Sequence, residues 1–131
     1  MTAWLPSVEQ VVLIHARLLA AHGGAEGILQ QDRLEAAVAS PRASFGGQDL
    51  HVDPIAKAVA LFFSLAHGHA FRDGNKRTAI ACLDLVLTFN GCVLLANAGD
   101  LESLVLSVAC GEMERDAADA FVRARCRIRM D

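Results

Sequence analysis

Apolar residues recur along this chain at helical spacing, and in two places they close into nearly unbroken runs. The first periodic stretch opens at Ser7-Val8-Glu9-Gln10, a capping box preceded by Pro6. It predicts a helix to about Ala21, with Val8, Val11, Val12, His15, Leu18 and Leu19 on one stripe and Gly23-Gly24 at its end. A connector at 25–31 follows. A short helix is then expected near Asp32 to Ala39, with Leu34, Ala37 and Val38 inward and Ser40-Pro41 stopping it. Residues 41–53 have no helical period, and in an ordinary connecting loop Phe45 would anchor in the core. Asp53-Pro54 is a strong start, an N-cap followed by proline at the first helical position. The helix it opens runs from Ile55 to about His67, with Lys57 pointing outward and Gly68 breaking it. A second long helix is expected from Gly74 to Asn90, closed by Gly91. Cys92 to Ala96 reads as an extended link. Asn97 or Asp100 then caps a helix to about Ala109, with Leu101, Leu104, Val105 and Val108 inward. A last helix is expected from Glu114 to Arg127. The two long runs are apolar nearly all round, so both belong at the centre of the core. The expectation is an all-α fold: one domain over 1–131, about six helices, two of them central.

Composition narrows this further. Of the 131 residues 53% are hydrophobic, with six Phe, one Trp and no Tyr, which favours close-packed helices over strands. The net charge of −3 opposes direct nucleic-acid binding, which needs a basic face. The C-terminal Arg123, Arg125, Arg127 and Arg129 form one local basic run. They also complement the dipole of the last helix, which opens acidic at Glu112, Glu114 and Asp116. No basic leader with an apolar run is visible at the start, and no stretch reaches the roughly 18 apolar residues of a membrane span. Cys82, Cys92, Cys110 and Cys126 form no C-x-x-C pair and read as reduced thiols of a cytoplasmic protein. His15 and His22, seven apart, lack the spacing of a metal pair.

The polar loop between the two central runs carries the chemistry. His69, Arg72, Asp73, Asn75, Lys76 and Arg77 fall within nine residues. Asp73 before Gly74 reads as an N-cap, which puts Asn75, Lys76 and Arg77 in the first helical turn. Cations there oppose the helix dipole by roughly 0.3–1 kcal/mol each. A bound anion resolves the conflict: free N–H groups, the dipole and the Lys76/Arg77 pair can all face one phosphate, and Gly74 allows close approach. His69 suits proton abstraction from a hydroxyl, since imidazole as a class exchanges protons near neutrality. Asp73 can hold Mg²⁺, which takes one or two carboxylates plus substrate phosphates. Together these are the working parts of group transfer from a nucleotide. Plainer roles exist for each residue. Asp73 could only cap, Asn75 only occupy the first turn, Lys76 be solvated, and Arg77 pair with Asp84. His67, His69 and Asp73 could form a metal site. Phe71 reads as the buried anchor of the loop, and Arg72 as solvated.

His69-x-Phe71-x-Asp73-Gly74-Asn75-Lys76-Arg77 resembles the Fic superfamily motif, H-x-F-x-(D/E)-(G/A)-N-(G/K)-R. Lys76 in place of Gly is similar to the death-on-curing (Doc) toxin branch. Arg33-Leu34-Glu35-Ala36-Ala37, the Ser40-Pro41-Arg42-x-x-Phe45-Gly46-Gly47 loop and Asn90-Gly91 resemble further Doc landmarks, so the likeness covers most of the chain. Ala70, where Pro is common, and His67-Gly68, where Arg-Asn is frequent, depart from the pattern without touching a working side chain.

The resemblance implies transfer from ATP to a hydroxyl of a target protein, with His69 as general base, Asp73 on Mg²⁺, and Gly74, Asn75, Lys76 and Arg77 on the phosphates. Gly at the Lys76 position goes with transfer of AMP. A lysine fills that space and goes with a reversed nucleotide and phosphoryl transfer, although Gly74 is shared with the AMP-transferases. The target implied is a threonine of elongation factor Tu, with arrest of translation. Residues 41–53 would be a flap beside the site that guides the target. The inhibitory pattern (S/T)-x-x-x-E-(G/N) is absent, since no Ser or Thr has Glu four residues on. That fits a toxin silenced by a separate, Phd-like antitoxin. A non-catalytic binding module on the same fold is the remaining alternative.

Overall fold

The computed structural model describes residues 3–129. Ser7 accepts from the Gln10 N–H while the Gln10 side chain accepts from the Ser7 N–H, and this reciprocal cap opens α1 (Val8–His22). Helix α2 (Gln31–Ala39) buries Leu34, Ala37 and Val38, and a 3-10 turn at Ser40–Arg42 ends it with Pro41 inside. Strands β1 (Ser44–Phe45) and β2 (Gln48–Asp49) then form a small antiparallel hairpin around Gly46-Gly47. Its tip is exposed, with Phe45 82% accessible, so Phe45 is not a core anchor.

Asp53 caps α3 (Pro54–Gly68), its carboxylate accepting from the Ala56 N–H at 2.8 Å. Helix α4 (Asn75–Phe89) lies against α3 in the most extensive packing of any two elements. The core runs along their shared face through Leu61, Phe62 and Leu65 to Leu83, Val86 and Leu87. This is what runs apolar nearly all round demand, since both helices need partners on several sides. Thr78 is fully buried in the first turns of α4. Strand β3 (Cys92–Leu94) follows, then α5 (Ala98–Ala109), capped by Asn97, then α6 (Arg115–Ala124). Leu104, Val105 and Val108 of α5 and Ala118 and Val122 of α6 complete the core. Among the described residues the protein is all-α in class, with six helices and two short strand pairs.

Three local expectations change. The last helix ends at Ala124 rather than Arg127, and Cys126–Ile128 forms strand β4, antiparallel to β3. The alternation Arg-Cys-Arg-Ile-Arg is the period-2 signal of that strand. Lys57 does not snorkel into solvent: its side chain is 12% exposed and its ammonium reaches Asp49 at 3.0 Å and the Pro41 carbonyl at 3.4 Å. It thereby ties the hairpin to α3. Asp84 is exposed and forms no ion pair among the described residues, so the alternative of an Arg77–Asp84 bridge is not realised. The four cysteines are free, two buried, one half-buried and one exposed. Among the described residues no helix is long and apolar enough to cross a membrane.

Candidate active site

The polar loop is built by a short backbone bridge and a set of side-chain clamps. Helix α3 includes Gly68, and the break comes one residue later: His69 takes the left-handed conformation, φ 50° and ψ 47°. It is the one non-glycine residue with positive φ among those described. Arg33 of α2 donates to the Gly68 carbonyl at 3.1 Å, just before the break. The His69 side chain is exposed. Ala70 and Phe71 then turn inward alongside residues 27–30. Leu29 and Gln30 donate to the Ala70 carbonyl, and Arg72 donates to the Gly27 carbonyl. Phe71 is 1% exposed and stacks on the His15 ring, so it is the anchor the sequence suggested. Arg72 is exposed.

Asn75 closes the turn from the other end. Its side-chain oxygen accepts from the Phe71 N–H at 3.0 Å and its amide nitrogen donates to the Phe71 carbonyl at 2.9 Å. Both ends of the amide are engaged with the loop. What Asn75 has left for an anion is its backbone N–H.

The structure also moves the start of α4. Gly74, φ +79°, is the N-cap, and among the described residues no side chain caps the helix. Asp73 is not the cap. One carboxylate oxygen accepts from the Gly74 N–H at 2.8 Å and the other from the Ala25 N–H at 3.1 Å. Among the described residues the N–H groups of Asn75, Lys76 and Arg77 meet no acceptor. Lys76 and Arg77 are exposed and form no ion pair there. Three unsatisfied donors, the positive dipole end and two unpaired cations thus share one helix turn, a fitting place for phosphate.

Asp73 fits a divalent cation. The Ala25 and Gly74 N–H groups hold its carboxyl below the usual value, and the charges of Arg77 and His15 add to this, against some desolvation. It is therefore ionised at neutral pH, exposed, and left with free lone pairs. No group of three or more His, Cys, Asp or Glu side chains converges among the described residues. A cation at Asp73 would complete its shell with phosphate and water, the habit of Mg²⁺. The same finding removes the His67–His69–Asp73 metal site. His67 instead stacks on Phe63, ring centroids 5.7 Å apart.

Two cavities flank the loop. One of about 240 Å³ is lined by Arg33, Phe63, Ser64, His67 and Gly68. The other, of about 280 Å³, is lined by Val12, His15, Leu19, Glu26 and Phe71 among others. His69, Lys76 and Arg77 line neither and stand on open surface.

A profile of the Fic/DOC family matches residues 4–87 of this chain, which includes the whole loop. The chain belongs to the Fic/DOC family. Its relatives include "Toxin Doc" of Mycolicibacterium smegmatis, 39% identical over 102 residues that make up 76% of this chain and 78% of that one. "Protein kinase doc" of Escherichia phage P1 is 29% identical over 107 residues, 82% of this chain and 83% of its own. Within this Fic/DOC chain the sequence brought His69, Asp73, Gly74, Lys76 and Arg77 to one place. It did not reveal His15, Arg33 or the Ala25 N–H as supports of the loop. The histidine on an otherwise apolar helix stripe was the one visible sign of the first.

Proposed function

We propose that this Fic/DOC protein is the toxin of a type II toxin–antitoxin module, and that it transfers the γ-phosphoryl group of ATP to a hydroxyl of a target protein. The observation that carries the reading is the start of α4, where, among the described residues, no side chain caps the helix and Lys76 and Arg77 stand without ion pairs beside three N–H groups that meet no acceptor. His69, exposed at the adjoining end of α3, takes the hydroxyl proton. The freed oxygen bonds to the γ-phosphorus as the bond to the β-phosphate oxygen breaks, and ADP leaves. Arg77 and Lys76 neutralise the phosphate oxygens, and the Asn75 and Arg77 N–H groups orient them. Mg²⁺, when bound at Asp73, supplies charge neutralisation on the phosphates. The side chain of Lys76, where AMP-transferring relatives of the motif have Gly, favours the phosphoryl reading, as does the name of the phage relative, a protein kinase. The target is a threonine of elongation factor Tu, and modification arrests translation in the cytoplasm. A separate Phd-like antitoxin silences the protein. The toxin name of the mycobacterial relative supports this pairing.

The deciding experiment is intact-mass measurement of elongation factor Tu after incubation with this protein, ATP and Mg²⁺, with His69→Ala as control. A gain of one phosphoryl group in the wild type, lower by about 10²–10⁴-fold in rate in the variant, supports the proposal. A gain of one AMP replaces it with the AMP-transferase reading that Gly74 also permits. No gain on this or any cellular protein leaves a non-catalytic binding module.

A further inference from the structure

The imidazole of His15 grips the motif turn at two points. Its ring stacks on Phe71 with centroids 3.8 Å apart and planes 7° from parallel. Its Nε2 lies 2.7 Å from the Asp73 carbonyl oxygen. A carbonyl only accepts, so Nε2 carries a proton and His15 is the donor. The residue is 5% exposed and reaches the loop from α1, 58 positions away in the chain. The peptide between Asp73 and Gly74 is therefore held at both edges. Its oxygen is held by His15, and its N–H by the Asp73 carboxylate at 2.8 Å. A rotation of this peptide would break both bonds together. A Cβ at position 74 would touch the same ring, 3.4 Å from Cδ2 and Nε2 of His15.

Packing alone does not call for a histidine here. A flat apolar ring would stack on Phe71 without the burden of burying two ring nitrogens. What the imidazole adds is one donor. It is aimed at the single carbonyl that lies between the carboxylate suited to a cation and the glycine that starts the anion-facing helix.

We propose that His15 is a positioning residue for the reaction: it fixes the Asp73–Gly74 peptide, and through it the Asp73 carboxylate and the first N–H groups of α4. The role in turnover rests on the phosphoryl-transfer reading above; the role in holding the peptide does not.

Two substitutions separate the contacts. His15→Phe keeps a stacking ring and removes the donor. His15→Gln removes the ring and keeps an N–H near the place of Nε2. Thermal midpoint, hydrogen exchange of the Gly74 amide and MgATP-dependent modification are measured on the wild type and both variants. His15→Phe is expected to melt close to the wild type, to exchange the Gly74 amide roughly five- to tenfold faster, and to lose kcat by a similar factor with KM for the target unchanged. His15→Gln is expected to recover most of that kcat and that protection, even with a lower midpoint. Unchanged exchange and kcat in His15→Phe, or a His15→Gln no better than His15→Phe, would reduce His15 to packing. If His15→Phe does not fold, Gly74 protection in His15→Gln decides, wild-type protection supporting the role and its loss overturning it. If the wild type modifies no protein but Gly74 exchange responds as expected, the positioning role holds and the phosphoryl-transfer reading falls.

Discussion

The chain carries two concentrations of cationic residues, one at the start of α4 and one at the end of α6, and they have opposite surroundings. At the end of α6 every described contact of the arginine side chains is internal. Arg123 holds Asp53 at 2.8 and 3.1 Å and Asp119 at 3.0 Å. Arg125 lies 3.6 Å over the Phe121 ring and donates to the Phe121 carbonyl. Arg127 donates to the carbonyl of Cys126. At the start of α4, Lys76 and Arg77 have no such partners among the described residues, and they occupy the end of a helix where cations are disfavoured. Charge alone would have marked the arginine run as the binding patch. Satisfaction of charge separates the two clusters, because a cation without a partner at an unfavourable helix end is open to an anion from outside.

The comparison can be broken by removing one cation at a time. Arg77→Ala should weaken MgATP binding by roughly ten- to a hundredfold, the worth of a charged hydrogen bond, with the thermal midpoint held; isothermal titration measures the first and calorimetric scanning the second. Lys76→Ala should weaken it less, by about three- to tenfold. That loss should shrink as salt is raised, because an exposed ammonium acts as a screened point charge. In the other cluster the consequence should invert: Arg123→Ala should lower stability by about 1 kcal/mol or less, given its exposure, and leave ATP binding alone. A denaturant series on that variant provides the check.

The smallest effect sharpens the contrast through pH. The Arg123 guanidinium holds the Asp53 carboxyl below its usual value, helped by the Ala56 N–H and opposed by desolvation. The folded protein thus binds this proton less readily than the unfolded chain does. The stabilisation is complete above the ordinary carboxylate range and is lost as pH falls through the lowered folded value. Asn at this position keeps a capping oxygen and drops the charge. The difference in thermal midpoint between wild type and Asp53→Asn should therefore exist at pH 7 and narrow on acidification below about pH 4.

The helices were legible because their signals are local. The Ser7/Gln10 box, Asp53-Pro54 and Asn97 each bond within three residues of themselves, and each starts a helix where expected. The motif residues were legible as a set for the same reason, being contiguous. Their individual bonds were not. Asp73 had two competitors for its carboxylate, the helix N–H groups nearby and the Ala25 N–H 48 residues away, and only the fold brings the second within reach. Asn75 likewise looked free for an anion until the turn placed its amide against both edges of Phe71. His15 needed α1 docked on the loop before its role could appear. Strand β4 is readable in the alternation of residues 125–129, but the acidic-to-basic polarity of 112–129 fits a helix equally well, and only pairing with β3 decides between them.

The left-handed backbone at His69 has a consequence for how the protein could be altered. A side chain with a Cβ is held there at a disadvantage of about 1–2 kcal/mol that glycine would not carry. His69→Gly should accordingly raise the melting point while lowering turnover by as much as His69→Ala does. A screen that rewards heat resistance alone would enrich that change and lose the base proposed for phosphoryl transfer, so a library built for hardness is best made with position 69 excluded.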